Sequence, residues 1–181
     1  MKKEGQIWIS AVIYIALGVI AIALLAAAAV PLVKKMRDRN TFEQTKDLMS
    51  EIDDAIRQVV AEGPGSQRFL SPINIKKGEL YISGRGNDIQ WTMETKAVLQ
   101  EPNSEIESGG LILRFDEDEL IKDQYDAEIA IESFTPRKII LYVNGVNDGE
   151  APDLTGTFSI TITNNGILVD SDLTIVNIVV N

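Results

Sequence analysis

The sequence predicts an α+β protein: one long N-terminal α-helix, apolar then amphipathic, followed by an antiparallel β-sandwich or partly closed barrel of about eight strands. Three observations lead there. Residues 6–33 carry no formal charge. An apolar stripe at three- and four-residue steps then continues to about residue 60. After Gly65 that period vanishes, and short alternating or β-branched runs separated by turn residues take over.

The uncharged stretch from Gln6 to Val33 is 28 residues long and is built mainly of Ala, Ile, Leu and Val. About 18 such residues suffice to read as membrane-spanning. As a helix the stretch covers roughly 42 Å, more than the ~30 Å of a hydrocarbon core. Pro31 is placed to kink the helix or to mark where it leaves lipid. Lys34, Lys35, Arg37 and Arg39 then form a basic collar suited to a membrane edge. A cleavable secretory signal needs an apolar region of only about 7–15 residues, roughly half the length of this one. Small residues at positions 16, 18, 21, 23 and 26–29 permit close helix approach. Ile9, Ile13, Leu17, Ile20 and Leu24 are the expected core of helix–helix assembly.

Beyond the collar, Phe42, Leu48, Met49, Ile52, Ile56 and Val59 form one apolar stripe, with Thr45 and Val60 beside it. Glu43, Asp47, Glu51, Asp53, Asp54 and Arg57 are placed mostly off that stripe. Glu62-Gly63-Pro64-Gly65 is a strong stop. The helix is therefore assigned to residues 6–62 and the β-rich head to residues 63–181, behind a short leader at residues 1–5.

In the head, strand patterns fall at 67–75, 79–83, 88–95, 110–115, 126–133, 137–143, 155–163 and 166–180. Asn144-Gly145 and Asn165-Gly166 are the strongest hairpin signals. Alternation assigns Ile129, Ile131, Phe158, Ile160 and Ile162 to the buried face. The final run, 175–180, is too apolar for an exposed edge and belongs inside a sheet or under another subunit.

Composition narrows function. The chain contains no cysteine and no histidine, which removes disulfides, thiolate sites, the commonest general base and the commonest metal ligand. No catalytic constellation is evident, so the expectation is a non-enzyme without a cofactor. The net charge of −10 divides into +4 over residues 1–39 and −14 over residues 40–181. An acidic body does not seek nucleic acid. Asp116 and Asp118, within Asp116-Glu117-Asp118-Glu119, are weak candidates for a hard cation, but the stretch lacks the EF-hand glycine and reads first as a solvated loop. Gly84-Arg85-Gly86 reads as a turn, and Trp91 as core.

Two lysines, Lys2 and Lys3, then Gly5, then Gln6 opening an uncharged helix that leads to a β-rich head: this order resembles archaeal type IV pilins. The resemblance covers residues 1–62 and extends to the head only as β-rich. It departs at Glu4, where a basic or small residue is more usual, and it has Ser10 where bacterial pilins carry a glutamate. It implies a class III signal peptide cut by a prepilin peptidase between Gly5 and Gln6. It also implies a precursor held in the cell membrane by its helix, then a cell-surface filament built from copies of the chain. An assembly ATPase and platform would act indirectly, and adhesion or cell contact would be the role. The alternative is a single-pass, membrane-anchored β-domain that binds a partner and does not polymerise. The collar supports it, because the positive-inside rule holds that side in the cytoplasm.

Overall fold

The computed structural model describes residues 3–118, 120–132 and 134–181. The chain forms two compact units, Met1–Asp38 and Arg39–Asn181. Helix α1, Lys3–Glu62, contributes to both and runs through Pro31. The first unit is the apolar part of that helix. The second unit, the head, comprises the amphipathic part and eight strands: β1 (Gln67–Ser83), β2 (Asp88–Thr95), β3 (Ser104–Ser108), β4 (Leu111–Glu117), β5 (Tyr125–Ile131), β6 (Ile139–Val143), β7 (Glu150–Ile167) and β8 (Thr174–Val180).

The strands form a single curled, half-barrel sheet in the order β3-β4-β5-β2-β1-β7-β8-β6. Of the two expected architectures, the partly closed barrel is the one observed, and among the described residues there is no second sheet to make a sandwich. All neighbours are antiparallel except β6 and β8, which run parallel. Register shifts between Leu70 and Ile73 and between Ile75 and Leu80 bend β1 against β7. Pro72 sits at the first of these, where a missing amide donor costs the ladder least. Gly78, at φ 78°, makes the second bend, and a Cβ there would collide with the Thr92 carbonyl.

The helix stripe fills the trough of the sheet. Phe42, Met49, Ile52, Ile56 and Val59 are buried with Ile82, Ile89, Trp91, Phe115, Ile129, Ile160 and Ile178, while Leu48 is half-buried at the margin. Each fully buried aliphatic side chain contributes about 2 kcal/mol over its exposed state. Trp91 lies against Phe42, with ring centroids 6.3 Å apart, and its indole N–H donates to the Lys77 carbonyl at 3.1 Å.

Several local features differ from expectation. β1 is one 17-residue strand where two were predicted, because Lys76-Lys77-Gly78 forms a bend within the strand rather than a turn. β3 has no apolar alternation to announce it. Asn144 and Gly145 do make a tight turn, both at positive φ, but the chain then crosses away and the neighbour of β6 is β8. Asn164-Asn165-Gly166 lies inside β7 at an irregularity, and the β7–β8 turn falls at 168–173. The reason lies in the buried side chain of Asn164. Its Nδ2 donates to the Val59 carbonyl at 2.9 Å, satisfying a group in the last turn of α1, and its Oδ1 accepts from the Gly166 amide at 2.8 Å. The edges are managed separately. The Asn87 side chain donates to the Ile139 carbonyl and accepts from the Leu141 amide, capping β6, while β3 exposes Glu105 and Glu107.

Candidate functional site

The apolar part of α1 is the most distinctive surface of the chain. It is long and apolar enough to cross a membrane, and none of its most apolar 18-residue window is buried. Ile13, Leu17, Ile20 and Leu24 are all exposed, as are Tyr14, Ile15 and Leu25 on other faces. Ile9, Lys3, Gly5 and Gln6 are described in backbone only, and Lys2 lies outside the described residues. A helix apolar all round satisfies its own backbone, so it can enter lipid or pack among other helices at little polar cost. Water is the one environment that disfavours it.

On the head, α1 is clamped by an ion cluster. Asp53 is buried and receives Arg57, with Nε–Oδ2 2.7 Å, and also Arg137 from the loop before β6. Arg57 Nη2 also donates to the Gly109 carbonyl at 3.2 Å. Gly110, at φ 90°, lies so close that a Cβ would strike both guanidinium groups. Asp53 was expected off the stripe. Its position four residues after Met49 and beside Ile52 is the phase that carries it inward.

The outer face of the sheet carries two charge rows. In the first, Arg114 on β4 bonds Glu105 at 2.8 Å, Glu128 at 2.6 Å and Glu132 at 2.6 and 2.9 Å. The bond to Glu132 above all raises the Arg114 pKa, and the same bond holds Glu132 below the usual carboxylate range. Beside it, burial first, then Glu132 and Glu128, pushes Asp88 up. The second row is acidic: Glu94, Asp126 and Asp116 stand in register across β2, β5 and β4. Asp126 is pushed up by burial and then by Asp118, Glu94 and Asp116.

Asp116 and Asp118 therefore do lie near two further carboxylates. Asp118, however, spends one oxygen on the Leu120 and Ile121 amides at 2.7 and 3.0 Å. Among the described residues no group of three or more carboxylates is placed to hold a metal ion.

A long apolar N-terminal helix followed by a β-rich domain is compatible with a pilin-like fold. No family model, no curated protein and no solved structure matches the chain.

Proposed function

We propose that the chain is the structural subunit of an archaeal type IV pilus-like cell-surface filament. It is cut between Gly5 and Gln6 and polymerises through its N-terminal helix, in the service of adhesion or cell contact. The observation that carries this reading is the uncovered helix: 28 uncharged residues, exposed wherever their side chains are described. That is more apolar length than one bilayer crossing requires. Copies of the helix would bury one another's surface outside lipid, and the acidic heads would keep the assembly in solution.

The basic collar favours a second reading, a single-pass anchored β-domain that stays monomeric. The N-terminal mass of the protein recovered from its native envelope separates the two. A chain beginning at Gln6 is the expected result. An intact Met1 would leave the anchored domain, and a start near residue 30 would mean an ordinary secretory signal.

A further inference from the structure

The head carries an open seam between α1 and the first half of β1. Glu43, Asp47, Glu51 and Asp54 recur along α1 at steps of four, four and three, so they share one exposed face. Asp47, Glu51 and Asp54 line a groove of about 460 Å³ whose opposite wall is Arg68 and Leu70 of β1. There β1 has a strand neighbour on one side only. It pairs with β7 from Gln67, whereas β2 joins it only from Glu79 onward. Among the described residues, no strand pairs with the other backbone edge of residues 67–75.

The groove's charge is not neutralised from within. Arg68 is engaged by Glu62 and Gln58. Among the described residues no salt bridge reaches Asp47, Glu51 or Asp54. Like charges at these spacings repel one another and weaken a helix. A cationic segment from outside would reverse that sign.

The chain carries such a segment. Lys34, Lys35, Arg37 and Arg39 are all exposed, with Asp38 the single acid among them. Along a helix a side chain meets only those three or four positions away. Arg39 therefore comes within range of Glu43 on its own helix, but not of Asp47, Glu51 or Asp54. We propose that the groove between α1 and β1 is the docking site for residues 34–39 of a second copy of the chain. The inference rests on the self-assembly reading and adds the place where one subunit's head holds the next. Charge complementarity sets register and partner choice, and the apolar helix supplies the bulk of the association.

The chain has no cysteine, so engineered thiols report the contact directly. Full-length chains carrying either Arg37→Cys or Glu51→Cys are mixed in the detergent in which the protein self-associates, then oxidised. The expected result is a heterodimeric cross-link. Charge reversal at Asp47, Glu51 and Asp54 to Lys should cut oligomer yield about tenfold or more, since like charges across an interface oppose binding strongly. Mixing that chain with one carrying Lys34→Glu, Lys35→Glu and Arg37→Glu should restore the yield. All six sites are exposed, so unchanged thermal unfolding of each variant confirms an intact head. Oligomers at full yield without the cross-link overturn the docking site and leave helix-driven assembly standing. Binding of the collar to phosphatidylglycerol vesicles, again without the cross-link, assigns residues 34–39 to lipid headgroups and overturns it too. A chain that stays monomeric throughout overturns the assembly reading and the docking site together.

Discussion

The two parts of α1 are one secondary structure under opposite conditions. Around Ile13 and Leu17, which are 55% and 64% exposed, no side chain among the described residues covers the helix. Around Ile52 and Ile56, both 0% exposed, the sheet covers one face entirely. The sequence difference behind this is periodicity. Apolar residues all round leave a surface that only lipid or other molecules can cover, whereas a single stripe finds its cover within the chain. The helix near residue 52 is thus stabilised by its own fold, whereas the helix near residue 13 has no such cover among the described residues.

An aspartate placed in each part should therefore fail in different ways. Ile52→Asp buries an unpaired carboxylate among apolar neighbours, and a loss of about 4 kcal/mol or more is expected, enough to unfold many heads of this size. Ile13→Asp or Leu17→Asp should leave the thermal unfolding of the head unchanged and abolish filaments. Circular dichroism melts and negative-stain microscopy of the same samples read the two effects. Filaments that survive either N-terminal change would contradict the helical spine. A head that melts early with Ile13→Asp would mean that the two parts are not independent.

Asp53→Ala sharpens the contrast from within the clamped part. The substitution strands the Arg57 and Arg137 guanidinium groups that Asp53 joins. Removing one partner of a buried pair costs about 3–5 kcal/mol, but both arginines keep some contact with water, so about 2 kcal/mol is expected here. Urea unfolding of the head checks the value. Self-association should persist wherever the head remains folded, because no assembly residue is touched.

The helix and most of the strand positions were legible because each follows from a local period. Strand order was not, because which strands become neighbours depends on bends that no window reveals. Gly78 looks like the end of a strand, yet it kinks a single one. Asn164-Asn165-Gly166 has the composition of a hairpin turn, but the Asn164 side chain is recruited by a carbonyl of α1 more than a hundred positions earlier. β3 has no alternating signature because Ser-Glu-Ile-Glu-Ser places its one apolar side chain, Ile106, in solvent. Asp53 was readable in principle, since its phase on the helix is that of the stripe. The acidic row at Glu94, Asp126 and Asp116 required the register of three strands.

That row gives the smallest expected effect and the finest test of independence. The folded head holds the Asp126 proton more tightly than the unfolded chain does, because the Asp126 pKa is raised above its ordinary 3.8. Asp126 therefore opposes folding at neutral pH. The opposition fades as pH falls through the raised folded value toward 3.8. Glu132 acts in the other sense. Lowered from 4.5 by Arg114, it supports folding above that value, and the support is lost as pH falls through its folded pKa. Asp126→Asn removes the first contribution and leaves the second. It should stabilise the head at pH 7 by about 0.5 kcal/mol, a modest figure because the row is exposed and screened by solvent and salt. Relative to the parent, the gain should shrink as pH is lowered toward 4. Urea midpoints measured at pH 7, 5.5 and 4 follow the trend. Filament yield at pH 7 should not change, since the row lies on the outer face of the sheet and none of its residues lines the groove. A change in yield without a change in head stability would place the row in an interface, and the division between a self-covered head and a partner-seeking helix would have to be redrawn.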